Sequence, residues 1–203
     1  LPSKYQKRGP FYSDAESGWI IGDDQLRADF TVTPEVSHLW NRINAEFQAL
    51  GVRLVVMAAP PRPLFADQAV RDAAGVPATF VADEMAAAFK GYVDAMNGAG
   101  ITAPDLLAAA QSAPGPYYFQ RDTHWTPAGA AVSAAALAEA MDMTSGVTAP
   151  EFSETYDEKG SLSAVAEKVC GARPDAERVP SPDYAKAGDA ASLLGDAPSD
   201  QGA

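Results

Sequence analysis

The sequence predicts an α/β domain built around a mostly parallel sheet. Apolar residues recur at spacings of three and four from Pro34 to Leu50, which indicates an amphipathic helix. Gly51 ends this helix, and the near-continuous apolar run from Val52 to Ala58 is typical of a strand that is covered on both faces. Because a helix followed at once by a buried strand is the unit of a parallel sheet, these two segments favour the α/β class.

The other predicted elements continue the alternation of helices and short strands. Trp19-Ile20-Ile21 predicts a short strand, and Ile101 to Leu106 predicts a second short strand and turn. The remaining predicted helices run from Ala82 to Gly98, from Pro127 to about Met141, and within Glu154 to Gly171. The expected buried face of the first consists of Met85, Phe89, Tyr92, Val93 and Met96, and that of the last consists of Leu162, Val165, Ala166 and Val169.

The length and composition predict one domain and a C-terminal excursion. The chain has 203 residues, of which 47% are hydrophobic, and this is enough to bury one core of ordinary size. We assign residues 1–172 to the domain. Residues 173–203 are rich in Pro, Asp, Ala and Ser, so we expect a surface excursion there.

The charge balance excludes some partners. The net charge of −12 argues against nucleic acid as a partner, because phosphate binding requires a surface of Lys and Arg. It also disfavours tight binding to anionic lipid, and no apolar run reaches the eighteen residues that a membrane span requires. The start at Leu1 is not a signal peptide, so we expect that an exported protein has its signal or anchor outside this sequence.

The cysteine and histidine content predicts neither a metal nor a cofactor. Cys170 is the single cysteine and follows an apolar helix, so we expect a small buried hydrophobic residue. The two histidines, His38 and His124, are far apart in the sequence, and no clustered acidic motif accompanies them. No glycine-rich phosphate loop is present.

Asp122 and His124 are the candidate catalytic residues. They lie between an extended segment and a predicted helix, where Thr126 is the expected N-cap and Pro127 the first helical residue. A carboxylate two residues before a histidine can bind one ring nitrogen, fix the tautomer and stabilise the imidazolium. His124 would then take a proton from a serine hydroxyl. His38 lies in a helical pattern, where a packing or solvated role is expected.

The motif and its context resemble the SGNH-hydrolase-like domain of the alginate O-acetyltransferases of the AlgX/AlgJ type. Asp122-Thr123-His124-Trp125 matches the Asp-Thr-His-Trp signature of that family. Three weaker segments fit in the same order, and they are Glu16 to Ile21, Gly51 to Arg62, and Gly160 to Gly171. The resemblance covers about residues 11 to 203 and implies a three-layer α/β fold.

The resemblance also implies a function. The expected activity is O-acetylation of an exopolysaccharide in the bacterial periplasm by a serine acyl-enzyme, without a cofactor. A membrane-bound acyltransferase partner is expected to supply the acetyl group. His124 would be the base in both half-reactions, and Asp122 would orient it.

Four further residues are candidates for substrate binding. Arg62 follows the predicted buried strand. Its side chain either lines the site at the end of that strand or is solvated where the chain leaves the strand. Arg121 and Trp125 flank the motif as shaping or positioning groups, and Arg53, Arg62 and Arg121 could together form a basic groove for a polyanion. Tyr118 could stack on a sugar ring, although alternating strand packing would explain the same pattern.

The nucleophile is the main departure from the family pattern. The family has its serine on a Gly-Thr-Ser turn after the Asp-x-His motif, and no such turn occurs here, so we expect the serine beyond Ala203. A second interpretation is that Gly195-Asp196-Ala197 replaces the Gly-Asp-Ser turn of ordinary SGNH hydrolases. Ser199 has no strand-to-helix elbow and is not a candidate.

Two other function classes remain open from the sequence. One is a carbohydrate or lipid esterase with the same triad, in which water replaces the sugar. The other is a polysaccharide-binding or assembly protein that keeps the fold without the nucleophile. Transfer and hydrolysis differ in how the acyl-enzyme excludes water, which the sequence does not reveal.

Overall fold

The computed structural model describes residues 9–143 and 150–183 of the chain. Its helices and strands follow one another in this order: β1 (Phe11–Ser13), β2 (Ile20–Gly22), α1 (Asp23–Leu26), α2 (Pro34–Ala49), α3 (Gln68–Ala73), α4 (Ala82–Gly98), α5 (Leu106–Ala109), α6 (Pro127–Ala140), β3 (Glu154–Glu158), α7 (Ser161–Cys170) and β4 (Glu177–Ser181). Short 3₁₀ turns lie at Arg62–Phe65 and Ala110–Ser112. Within the described ranges, none of the helices combines the length and the apolar composition needed to cross a bilayer.

The strands form two small antiparallel sheets, so the α/β content is confirmed but the central parallel sheet is not. β1 pairs with β2, and β3 pairs with β4 from Glu154 opposite Ser181 to Glu158 opposite Glu177. The predicted strands at 52–58 and 101–106 do lie side by side in parallel, yet they share only the bridge between Val55 and Thr102. Two hydrogen bonds form this bridge, at 2.9 Å and 3.0 Å, which is too few for a continuous strand pair.

Helix α2 begins as predicted, but most of its apolar face is exposed. The Thr33 side chain caps the first turn, and Pro34 is the first helical residue. Leu39 is 52% exposed and Leu50 is 78% exposed. The buried residue of α2 is instead Asn44, whose side-chain amide donates to the Ala99 carbonyl at 3.0 Å. The periodicity therefore predicted the helix correctly, but of its apolar face only Trp40 packs against a core cluster in the described structure.

Helix α4 confirms the prediction in both its bounds and its buried face. Its inward side chains join the loop that follows the helix in one core cluster, which consists of Phe89, Val93, Met96, Ile101 and Ala103. Phe89 is completely buried. Burying a side chain of this size contributes about 1.5–3 kcal/mol, so this cluster is a main source of stability.

A second core cluster lies beneath the Asp-Thr-His-Trp segment. It joins strand β2 to the start of that segment and consists of Trp19, Ile21, Ala66, Tyr117 and Tyr118. The Phe65 ring stacks on the Tyr117 ring at 4.8 Å between centroids. The segment therefore begins on a packed aromatic base.

The last helix lies within the range predicted for it, but two of its residues are not buried as expected. Helix α7 runs from Ser161 to Cys170, and strand β3 occupies Glu154–Glu158 before it. Cys170 is exposed and Val169 is 54% exposed, so both predictions of burial at the end of α7 are wrong. Strand β4 lies beyond residue 172 and pairs with β3, so this part of the assigned excursion is hydrogen-bonded to the domain.

Gly129 in α6 provides a test of how closely this helix approaches the motif segment. A Cβ at Gly129 would lie 2.2 Å from the Tyr117 carbonyl oxygen. We expect Gly129→Ala to lower the free energy of unfolding by about 1–3 kcal/mol or more, because the backbone of one segment must move. Urea unfolding measures the change.

The matched control is Gly91→Ala in the interior of α4. A Cβ at Gly91 meets nothing within 4 Å, so the better helix propensity of alanine should stabilise the protein by up to about 1 kcal/mol. Equal effects of the two substitutions would contradict the close approach of α6 to Tyr117.

Candidate active site

The Asp-Thr-His-Trp motif lies at the end of a hairpin-like loop. The Thr126 N–H donates to the Tyr117 carbonyl at 2.9 Å, and the Phe119 N–H donates to the His124 carbonyl at 3.3 Å. Thr126 also accepts the Gly129 N–H at 3.2 Å and caps α6, with Pro127 as the first helical residue. The predicted anchoring of the motif by a capped helix is confirmed.

Asp122 and His124 contact each other directly. The ring Nδ1 of His124 is hydrogen-bonded to Oδ1 of Asp122, and the His124 backbone N–H donates to the same oxygen at 2.9 Å. Asp122 is only 4% exposed, whereas the His124 side chain is 78% exposed. With Nδ1 bound to the carboxylate, the Nε2 side of the ring is the one available to a reacting group.

The first turn of α7 completes the environment of the Asp122 carboxylate. The Ser161 N–H donates to Oδ2 of Asp122. Burial alone would raise the pKa of Asp122, but the N–H groups of Ser161 and His124 and the His124 ring outweigh it and hold this pKa below its usual value. The N-terminus of a helix also favours a negative charge. Asp122 is therefore ionised at neutral pH, and its carboxylate can only accept hydrogen bonds. Nδ1 of His124 must then carry the proton and donate it to Oδ1 of Asp122.

Gly160 allows α7 to begin this close to the motif. Its φ of +73° lies in the left-handed region, and a Cβ there would lie 2.3 Å from the Arg121 carbonyl oxygen. That oxygen accepts the Leu162 N–H at 3.0 Å. A glycine is thus required where the start of α7 meets the residue before Asp122.

Arg62 lies inside the protein and not on a binding surface. It is 4% exposed, its guanidinium lies 4.5 Å from the Trp19 ring centroid, and it makes five hydrogen bonds to protein acceptors. Neither alternative from the sequence fits, because the side chain is neither solvated nor available to a substrate.

Tyr118 is also buried, at 5% exposure, and its hydroxyl donates to the Pro60 carbonyl at 2.7 Å. Burial strongly raises the pKa of Tyr118, so the hydroxyl stays protonated. Of the two interpretations of the sequence, packing fits this side chain and stacking on a sugar does not.

Arg121 and Trp125 lie nearer to solvent. Arg121 donates from Nη1 to the Asp175 carbonyl at 2.7 Å, and its guanidinium packs against Gly18. Its Nε is buried without a hydrogen-bond partner among the described residues. Trp125 is half-buried, and its ring meets Tyr117 edge-on at 6.3 Å. A contact of Arg121 or Trp125 with substrate stays a prediction.

Sequence reasoning missed Glu177. Its carboxylate is 8% exposed and accepts the Gln120 N–H at 2.9 Å and the Arg121 N–H at 3.2 Å. It lies 57 residues after Gln120, in the segment assigned to the excursion. A single acidic residue at such a distance from the motif gives no local signal.

A metal cluster and a hydroxyl or thiol hydrogen-bonded to the His124 ring are both absent from the part of the chain that the structure describes. No group of three His, Cys, Asp or Glu side chains that could hold a metal occurs in residues 9–143 and 150–183. Within the same ranges, the His124 ring has no hydrogen bond to a serine, threonine or cysteine side chain. Gly195-Asp196-Ala197 and Ser199 lie outside the described residues.

Comparison with known proteins identifies one family. Residues 15–201 match the family model described as SGNH hydrolase-like domain, acetyltransferase AlgX. The alginate biosynthesis protein AlgX of Pseudomonas putida is 28% identical over 184 residues, which is 83% of this chain and 38% of that protein. A Pseudomonas syringae protein named probable alginate O-acetylase AlgJ is 30% identical over 132 residues, which is 64% of this chain and 31% of that protein.

A solved structure supports the fold. The structure of Pseudomonas aeruginosa AlgX matches 97% of this chain and 49% of its own, with a TM-score of 0.71 and 22% identity. The SGNH-hydrolase-like fold is therefore shown. The chain spans 38% of the Pseudomonas putida relative, which is less than two fifths of its length.

The lowered pKa of Asp122 predicts how stability depends on pH. Because the pKa is lower in the folded state, the ionised Asp122 stabilises the protein above its ordinary pKa of about 3.9, and this contribution is lost as the pH falls through the folded value. We expect the difference in unfolding free energy between the wild type and Asp122→Asn to be largest near neutral pH and to shrink below about pH 4. Urea unfolding at a series of pH values measures it.

The control for this prediction is Asp157→Asn. Asp157 is paired with Arg178 at 2.7 Å on the surface, and an exposed ion pair contributes little. A difference between the wild type and Asp122→Asn that stays constant from neutral to acid pH would contradict an ionised Asp122.

Proposed function

Because this chain belongs to the AlgX family of SGNH hydrolase-like acetyltransferase domains, we propose that it transfers acetyl groups to an exopolysaccharide. The observation that carries the proposal is the Asp122–His124 pair, in which a buried, ionised carboxylate binds one side of an exposed imidazole. This is the acid–base half of a serine acyl-transfer triad.

The two residues have separate tasks in the proposed mechanism. Asp122 holds the proton on Nδ1 of His124, so Nε2 carries the free lone pair and acts as the base. His124 takes the proton of a serine hydroxyl as the serine oxygen attacks the acetyl ester, and then gives that proton to the departing alkoxide. Asp122 stabilises the imidazolium between these steps. A sugar hydroxyl attacks the acetyl-serine in the second half-reaction, with His124 again as the base.

The serine completes the triad in this account. The resemblance places it after the Asp-Thr-His-Trp motif, and we expect it to reach the Nε2 side of His124, which is open to solvent. Backbone N–H groups beside that serine would bind the oxyanion of each tetrahedral intermediate.

The names of the relatives support the proposed substrate, while the partner and the location are proposed from the family resemblance. The related proteins are named for alginate biosynthesis and alginate O-acetylation, so we propose an alginate-like polysaccharide as the acetyl acceptor. We further propose a membrane-bound acyltransferase as the source of acetyl groups and the periplasm as the location. The net charge of −12 requires that a polyanionic acceptor be bound by locally basic groups. Of the three arginines predicted for a basic groove, Arg62 is buried and Arg53 donates to the Met141 carbonyl at 2.7 Å, so Arg121 is the candidate beside the motif.

The proposed function predicts that His124 is essential and His38 is not. In the protein expressed from its own gene, His124→Ala should lower acetyl transfer from a chromogenic acetyl ester to alginate oligosaccharides by on the order of 10²–10⁴-fold, because the general base is lost. His38→Ala is the control, since His38 lies exposed on α2. Mass spectrometry of the oligosaccharides and release of the chromophore measure the two half-reactions.

Three results would contradict the proposed function. Undiminished transfer by His124→Ala would show that this residue is not the base. Release of acetate with no acetylated sugar would identify an esterase. A wild-type protein that binds the oligosaccharide without turning over any acetyl ester would favour a binding or assembly role.

A further inference from the structure

In two consecutive peptide groups before Asp122, a charged side chain binds the carbonyl and another binds the N–H. In the first group, the Phe119 carbonyl accepts from Nε and Nη2 of Arg62 at 3.0 Å and 2.9 Å, while the Gln120 N–H donates to Glu177 at 2.9 Å. In the second group, the Gln120 carbonyl accepts from Nη2 of Arg62, and the Arg121 N–H donates to Glu177 at 3.2 Å. We call Arg62 and Glu177 together the peptide clamp.

The peptide clamp is a costly way to hold a loop. Arg62 is 4% exposed and Glu177 is 8% exposed, and taking such charges out of water carries a large desolvation penalty. Burial lowers the pKa of Arg62 to about 10, but the charges of Glu177 and Asp122 favour its cationic form, so it remains charged at neutral pH. Apolar packing would hold the loop with a smaller desolvation penalty. The use of two buried charges therefore indicates that they fix the position of the backbone between them.

The geometry that the peptide clamp fixes is that of the catalytic carboxylate. The Arg121 carbonyl, in the third peptide group, accepts the Leu162 N–H of α7 at 3.0 Å. Three peptide groups in a row are therefore fixed immediately before Asp122. The carboxylate must reach the Ser161 N–H with one oxygen and the His124 ring with the other, and a rotation of the preceding backbone would break one of these contacts.

We propose that Arg62 and Glu177 are positioning residues for the Asp122–His124 pair. They touch neither Asp122 nor His124 through the hydrogen bonds described above, and they act through the backbone that carries Asp122. This inference rests on the proposed function and adds two residues to it. Misplacement of a catalytic group by about 1 Å can lower the rate on the order of 10²-fold. The gain in rate from a fixed backbone therefore offsets the desolvation penalty of the two buried charges.

Conservative variants separate the geometry of the peptide clamp from its charge. Arg62→Lys keeps the positive charge, but an ammonium has three donors and cannot replace the five bonds of the guanidinium fork. Glu177→Gln keeps the shape but turns one carboxylate oxygen into a donor that faces a backbone N–H.

Two further variants control for the loss of a buried arginine and for a change in β4. Arg71 is 7% exposed and binds the Pro63 carbonyl at 3.4 Å and the Ala66 carbonyl, so Arg71→Lys removes a comparable fork away from the motif. Arg178 follows Glu177 on β4 and pairs with Asp157 at 2.7 Å on the surface, so Arg178→Lys changes the same strand without touching the motif backbone.

The tautomer of His124 is a readout that does not depend on turnover. Two-bond nitrogen–proton correlation spectra at alkaline pH show which ring nitrogen carries the proton, and exposed His38 is an internal reference in the same spectrum. We expect mainly the Nδ1–H form of His124 in the wild type. In Arg62→Lys and Glu177→Gln, the ratio of Nδ1–H to Nε2–H should fall by several-fold to about tenfold, the effect of losing about one net hydrogen bond.

Kinetics of the same variants provide a second readout. Loss of positioning should lower kcat for acetyl transfer by on the order of 10-fold to 10²-fold with KM nearly unchanged, because binding of the sugar does not use the peptide clamp. Arg71→Lys and Arg178→Lys should keep the wild-type tautomer ratio and kcat, although Arg71→Lys lowers the unfolding midpoint.

The outcomes distinguish this inference from the proposed function. An unchanged His124 tautomer in folded Arg62→Lys and Glu177→Gln would overturn the inference, and so would an equal change in Arg71→Lys or Arg178→Lys. If Arg62→Lys fails to fold by circular dichroism, Glu177→Gln decides alone. A wild-type protein without acetyl transfer would overturn the proposed function, while the tautomer ratios would still decide whether the peptide clamp positions His124.

Discussion

The buried carboxylate of Asp122 joins the motif loop to the start of helix α7. It binds the ring of His124, the backbone of its own loop, and the first N–H of α7. An unpaired carboxylate at 4% exposure would be strongly destabilising, so these donors are required for the site to exist with Asp122 ionised. The same donors lower the pKa of Asp122, and the chemistry proposed for His124 depends on that charge.

Close backbone approaches bring these parts together. Gly129 lets α6 pass the Tyr117 carbonyl, and Gly160 lets α7 begin against the Arg121 carbonyl, at positions where a Cβ would lie 2.2 Å and 2.3 Å from the oxygens. The peptide clamp of Arg62 and Glu177 then connects β2 and β4 to the intervening backbone. The site is thus assembled from segments that are distant in the sequence, and each contact constrains the next.

How much the sequence could predict depends on the range of the interaction. The Thr126 cap, the start of α6 at Pro127 and the pairing of Asp122 with His124 depend on neighbours within a few residues, and all three are found as predicted. The buried face of α4 followed from its 3.6-residue period. The burial of Arg62 was not predictable, because its four acceptor atoms belong to other segments that only the fold brings near.

Three errors have the same origin. Glu177 lies in a segment whose composition indicated a surface excursion, and only its pairing with β3 places it beside Gln120. The periodicity of α2 and α7 predicted helices correctly, but whether Leu39 or Val169 is covered depends on which elements pack against them. The apolar run from Val52 to Ala58 lies parallel to Thr102 at one bridge and forms no continuous strand, because strand formation also requires partners of matching length.

Amide hydrogen exchange at His124 and Ser161 tests whether the Asp122 carboxylate binds both backbone N–H groups. Both residues are exposed, so their N–H groups should exchange rapidly unless the Asp122 carboxylate holds them. We expect slow exchange at these two amides and fast exchange at Thr123, whose N–H has no acceptor among the described residues. Exchange at His124 and Ser161 as fast as at Thr123 would show that Asp122 does not join the motif to α7, and would contradict the account.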